Sequence, residues 1–170
     1  MSSTWFRWET LHPVVVHFPI ALLIVTPLFL LLGLRLTPHA RAFGVAALIL
    51  MTLGALGAWF SVETGEAAKD TLILSEAQNN LIREHAEFGE TTRNVFTILS
   101  SLYAAVLFGT ALLKRPLQKR RHIILSVVFL VIYAGSLFLV VKTGDLGGRL
   151  VHRSGQHLHK GQSAAVQRSE

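Results

Sequence analysis

The side chains best suited to chemistry in this chain are its histidines. The stretch "LHPVVVHFPIAL", residues 11–22, sets His12 and His17 at the mouth of a long apolar run, and six more histidines follow at 39, 85, 122, 152, 157 and 159. Imidazole can ligate iron, zinc or copper, carry a proton or simply hydrogen-bond. The chain has no cysteine. That excludes thiolate-held iron–sulfur clusters, covalently attached haem and disulfides. A b-type haem held by two imidazoles remains open, whereas zinc or copper asks for three or four close ligands, with carboxylates among them. No nucleophile stands beside a base. "HAEFG" at 85–89 has no second histidine four residues on, so it is not a zincin motif. "GDLGG" at 144–148 follows an apolar run rather than a strand, so it is not a dinucleotide loop.

The elements that must position these histidines are membrane helices. Apolar residues make up 51% of the 170-residue chain and charged residues only 15%, against about 25% charged in ordinary soluble domains. A bilayer core of about 30 Å needs about 20 apolar residues as helix. Four stretches meet this, at 14–34, 43–62, 95–113 and 123–141, and none contains Asp, Glu, Lys or Arg. The first is longer than the ~7–15 apolar residues of a signal core, which makes it a retained span. The expected fold is an all-α, integral-membrane four-helix bundle. It forms one domain over 1–160, with a disordered tail at 161–170.

Loop charge sets the orientation. Arg35 and Arg41 flank the first link, and Lys114, Arg115, Lys119, Arg120 and Arg121 fill the third. The long second link carries Glu63, Glu66, Asp70, Glu76, Glu84, Glu87 and Glu90. Lysine and arginine mark the cytoplasmic side. Both termini and the long link therefore face the periplasm of a bacterial inner membrane. Gly65 can end the second helix, "EAAKDTLIL" reads as a short interfacial helix, and Ser75 can cap a helix running from Glu76 into the third span. Leu81, His85, Phe88, Thr92 and Phe96 recur on it at helical spacing and should face inward. This is a helical periplasmic extension before the third span. The net charge of +6 is a matter of topology; no basic stripe with interleaved aromatics suggests nucleic acid.

This topology sorts the histidines. His39 and His122 fall among cytoplasmic arginines as solvated residues. The other six lie at or beyond the outer boundary, where His12, His17, His85 and His152 come from separate helix ends that a bundle brings together. Polar groups at membrane depth usually line a functional cavity. Five residues separate His12 from His17, so they point about 140° apart on a helix; they serve two sites, or one binds while the other hydrogen-bonds. Arg83, Lys142, Arg149 and Arg153 can neutralise haem propionates. Gly44, Ala47, Met51, Gly54, Ala58 and Ser61 form a small-residue face on the second span, explained most simply by close helix packing, although it would also admit a macrocycle. Glu63 and Asp145 read as solvated carboxylates, and "HLH" at 157–159 as a weak surface metal tract. The second span leaves the membrane through "VETG" and the fourth through "VKTG", a short internal echo suggesting two related helix pairs.

Four segments, "LHPVVVHFPIAL", "ETGEAA", "HAEFGE" and "TGDLGGRLVHRSG", resemble in order and spacing the signatures of a bacterial membrane-protein family, DUF2231. The resemblance covers about residues 11 to 155. It implies a four-span inner-membrane protein similar in layout to di-haem membrane cytochromes, and some relatives are joined to Rieske-type or c-type cytochrome modules. By position, His12 and His17 match the family's paired histidines and His85 its mid-chain histidine. The last segment departs from the usual "LVY" followed by "HG": His152 stands at the tyrosine position and Ser154 at the histidine position. The expectation is a membrane electron-transfer subunit, more an electron carrier than an enzyme. It binds b-type haem through His12, His17, His85 or His152 and exchanges electrons with a periplasmic carrier, quinol or a larger redox complex. The rivals are a structural accessory subunit and a histidine-lined metal or proton pathway.

Overall fold

The computed structural model describes residues 8–69, 75–112 and 118–167, with side chains described from Leu11 to Val151. Among them every regular element is helical. The order is α1 (Trp8–Val15), α2 (His17–Arg35), a 3-10 turn (Thr37–His39), α3 (Ala40–Lys69), α4 (Glu76–Leu112) and α5 (Lys119–Gln167). Neighbours in sequence are neighbours in space: α2 packs on α3, α3 on α4, α4 on α5, and α5 closes the ring against α2. This is an up-down-up-down four-helix bundle, as the sequence predicts, with α1 laid against α3.

Proline shapes the first span. Pro19 has no N–H to give the Val15 carbonyl, so one helical hydrogen bond is lost at the turn at Val16, but Val16 keeps helical angles (φ −62°, ψ −28°) and the apolar helix runs on from Leu11 to Arg35. Pro27 lies inside α2 and likewise leaves the Leu23 carbonyl without its helical donor. Tyr133 of α5, fully buried, supplies the missing hydrogen bond: its hydroxyl donates to the Leu23 carbonyl at 3.1 Å. The ring then stacks edge-on to Phe96, centroids 5.2 Å apart. Leu23, Leu30, Ala47, Met51, Phe96, Leu99 and Val140 complete this core.

The small-residue face of α3 does what packing requires. Gly44, Ala47, Met51, Gly54 and Ala58 are all buried. A Cβ on Gly54 would lie 2.6 Å from Leu23 Cδ2, so α2 and α3 approach as closely as they do because that carbon is absent. No room for a macrocycle remains along this contact.

Three helices are long and apolar enough to cross a membrane: Leu11–Arg35, Ala40–Lys69 and Arg120–Val151. α3, α4 and α5 have 30, 37 and 49 residues, or about 45, 55 and 73 Å of helix against a hydrocarbon core of about 30 Å. The 3-10 turn ties α2 to α3 tightly at one end. The surplus length therefore projects from the other end, the one carrying Thr64, His85 and Thr143.

Two local expectations change. Gly65 does not end its helix; α3 continues to Lys69, because the glycine makes room for a neighbouring ring rather than for a turn. Of the expected interfacial helix, 66–69 belongs to α3 and 70–74 lies outside the described residues. α5 runs to Gln167. Ser75 does precede α4, and its N–H and its hydroxyl both donate to Gln78 Oε1, at 3.0 and 2.9 Å, which is one half of a capping box.

Candidate functional site

At the projecting end, four helix segments converge on two histidines. His12 comes from α1, which packs against α3. His85 comes from the inward stripe of α4, whose members Thr92 and Phe96 are buried. Their ring centroids are 6.3 Å apart and their planes are nearly perpendicular, at 86°. Both rings are half-buried.

Each imidazole is held through Nδ1 by a threonine residue of another helix, His12 by α3 and His85 by α5. His12 Nδ1 lies 3.2 Å from Thr64 Oγ1. That hydroxyl already donates its proton to the Phe60 carbonyl at 2.9 Å, so the ring must be the donor; the Ser61 carbonyl is a second acceptor for it. His85 Nδ1 lies 3.0 Å from the Thr143 carbonyl, which can only accept. Both rings are thereby fixed with the proton on Nδ1, which leaves Nε2 a bare lone pair in each. Thr143 is tied in turn to α4, its hydroxyl 3.1 Å from that of Thr92.

Glycine makes each seat. A Cβ on Gly65 would stand 3.1 Å from His12 Cε1, and one on Gly147 would stand 3.2 Å from His85 Cε1. The echo between "VETG" and "VKTG" has a physical counterpart only at its threonines, Thr64 at one ring and Thr143 at the other; the glycine against the second ring is Gly147, whereas a Cβ on Gly144 of "VKTG" would meet nothing within 4 Å. Composition and spacing did not single out Thr64, Thr143 and Gly147 as site residues. The repeated "TG" was a signal for the two threonines, and nothing comparable marked Gly147.

Burial lowers the pKa of His85 below its usual value, and His12 beside it lowers it further, against the opposing hydrogen bond to Thr143. The bare-Nε2, neutral form is therefore favoured near neutral pH.

The remaining candidate residues lie elsewhere. His17 is exposed, and its Nδ1 donates to the Pro13 carbonyl one turn back at 2.6 Å; five residues along the helix set it about 140° from His12. Arg83 pairs with Glu87 at 3.8 Å and Arg149 with Asp145 at 2.8 Å, all exposed. Lys142 pairs with Glu84 at 3.7 Å across α4 and α5, one residue from each partner in the His85–Thr143 contact. The side chains of His152 and Arg153 lie outside the described residues. His39 and His122 are exposed at the opposite end, as expected, and Glu63 and Asp145 are exposed carboxylates. Among the described residues no group of three or more His, Asp or Glu is placed to hold a metal ion. The histidine pair therefore falls short of a zinc site, which needs three or four protein ligands.

No curated protein and no solved structure matches the sequence. A family described as "Predicted membrane protein (DUF2231)" matches residues 9–160. That match takes in every helix of the bundle, both histidine seats and the projecting end, and the chain is a member of the DUF2231 family of membrane proteins.

Proposed function

We propose that this membrane protein is an electron-transfer subunit and that His12 and His85 are the axial ligands of a b-type haem at the outer end of its bundle. One observation carries the reading: two half-buried imidazoles from different helices face each other, each with Nδ1 committed as a donor and Nε2 bare. Two such nitrogens are what a b-type haem takes from a protein. The two rings that would hold it lie with centroids 6.3 Å apart. The Nδ1 hydrogen bonds fix ring orientation and raise ligand basicity. Lys142, next to Thr143, supplies a half-exposed cation for a carboxylate at the rim. A bound haem would supply one-electron redox chemistry at its iron.

In this reading the apolar half of α4, over about 95–113, is the fourth span, and the arginine-rich links place it in the bacterial inner membrane with both termini periplasmic. The projecting end then stands in the periplasm, within reach of a soluble electron carrier, of quinol at the membrane surface or of a larger redox complex. The test is the visible spectrum of the purified protein, before and after haem supplementation, oxidised and dithionite-reduced. Wild type and His17→Ala should show a low-spin b-type spectrum, while His12→Ala and His85→Ala should lose it. A wild type that stays colourless after supplementation rejects the assignment.

A second reading rests on the glycine seats. Both rings already fill notches and make interhelical hydrogen bonds, so they can act purely as clasps that lock α1 to α3 and α4 to α5 in an accessory subunit. It predicts a colourless protein in which His12→Ala and His85→Ala reduce stability alone.

A further inference from the structure

A second place on the surface departs from its surroundings. Among the described residues of the outer half, Lys69, Arg83, Lys142 and Arg149 each pair with a carboxylate. Arg93 of α4 does not, although Glu90 stands one turn before it. Its guanidinium carbon lies over the Trp59 ring of α3, 4.1 Å from the centroid. Trp59 is itself pinned, its Nε1 donating to Thr97 Oγ1 at 3.2 Å. Arg93 Nε donates to Asn94 Oδ1 at 3.2 Å, which leaves the two Nη groups of the guanidinium as further donors.

The depth of this cluster is informative. Arg93 lies eight residues along α4 beyond His85, about 12 Å nearer the bilayer centre. It immediately precedes the apolar run from Val95, and the side chains around Trp59 on this face, Leu56, Phe60 and Ile98, are 51%, 60% and 58% exposed. An indole and a basic side chain at this depth sit in the headgroup layer, with lipid chains over the apolar residues below.

The geometry points to a bound anionic phospholipid at the outer end of the α3–α4 face. Its phosphate sits on the Nη groups of Arg93, and an acyl chain runs over Phe60, Leu56 and Ile98. Three features support this occupant. A planar guanidinium matches two phosphate oxygens at once. The contact with Trp59 holds the guanidinium in place. The charge has no protein carboxylate to neutralise it at a depth where an anion is needed. A zwitterionic lipid brings its own cation to the same phosphate and fits less well. This site is independent of the histidine pair.

The full chain in mild detergent, carrying Trp5→Phe and Trp8→Phe so that Trp59 alone reports, should be titrated with dioleoylphosphatidylglycerol, dioleoylphosphatidylcholine and inorganic phosphate. Retained lipid is counted in parallel by native mass spectrometry. The expected result is a saturable change in Trp59 emission with phosphatidylglycerol and one retained lipid, weakened about tenfold in Arg93→Gln, the loss of roughly one charge-assisted hydrogen bond. Arg83→Gln, which removes a paired surface charge, should bind like wild type. Equal retention by Arg93→Gln, equal affinity for phosphatidylcholine, or the same response to inorganic phosphate alone would each overturn the proposal.

Discussion

Replacing Tyr133 by Phe removes one oxygen atom from the middle of the bundle, and the structure sets what that should cost. The hydroxyl donates to the Leu23 carbonyl at 3.1 Å. That carbonyl has no helical partner because residue 27 is proline. Tyr133 is 0% exposed and Leu23 1% exposed, so water cannot take over. Interhelical hydrogen bonds in membrane proteins average only about 0.6 kcal/mol, because alternative partners are usually found. Here the nearby Thr26 hydroxyl already donates to the Leu22 carbonyl at 2.8 Å, and the cost should approach the about 1–3 kcal/mol of a buried unsatisfied group. A value of about 1.5–2 kcal/mol is expected. The control is Pro27→Ala, which returns an N–H to the Leu23 carbonyl. In that background Tyr133→Phe should cost about 0.5 kcal/mol or less, so the double-mutant cycle should yield about 1 kcal/mol of coupling. Denaturant unfolding of the four proteins in bicelles measures it. Strictly additive losses would refute the argument that the tyrosine stands in for the proline's missing donor.

Other outcomes follow from the same geometry. Gly147→Ala drives a Cβ to 3.2 Å from His85 Cε1, whereas at Gly148 a Cβ meets nothing within 4 Å. Gly148→Ala should therefore gain up to about 1 kcal/mol of helix propensity, while Gly147→Ala gains nothing or loses stability; equal melting temperatures would contradict the seat. Gly54→Ala, with its Cβ 2.6 Å from Leu23 Cδ2, should cost about 1–3 kcal/mol by overpacking, and a neutral result would mean that α2 and α3 are not in close contact there. The pKa of His85 is lowered on folding, so the unfolded chain binds a proton below about pH 6.5 that the fold resists. Stability should be flat above that value and decline below it as far as the folded pKa, and His85→Asn should reduce the decline. Unfolding at stepped pH between about 8 and 5 measures this, and identical pH profiles would refute it.

How much of this was legible in the sequence depends on the range of the interaction. The helical fold was, because four apolar runs of membrane length leave little choice. The inward stripe of α4 was, because Leu81, His85, Phe88, Thr92 and Phe96 keep a single period. The packing face of α3 was also readable, since Gly44, Ala47, Gly54 and Ala58 share one side. The division between His12 and His17 was also legible, because five residues of helix set them about 140° apart, but which of the two meets α3 depends on packing that no local pattern shows. Gly65 misled for a related reason. Glycine serves both helix ends and close approaches, and only the position of His12, 53 residues earlier in the chain, decides between them. The Tyr133–Leu23 bond joins residues 110 apart and leaves no local mark except Pro27.

The account depends on His12 and His85 meeting with both Nδ1 atoms protonated and both Nε2 atoms bare. The most direct test is ring ¹⁵N NMR of histidine-labelled protein in nanodiscs at about pH 8, where the neutral forms prevail, with His12→Ala and His85→Ala providing the assignments. The account predicts that both rings are locked in the Nδ1–H tautomer, that each perturbs the other, and that both Nε2 signals shift when haem is added. Rings that interconvert freely between tautomers, or that are indifferent to each other's removal, would contradict it.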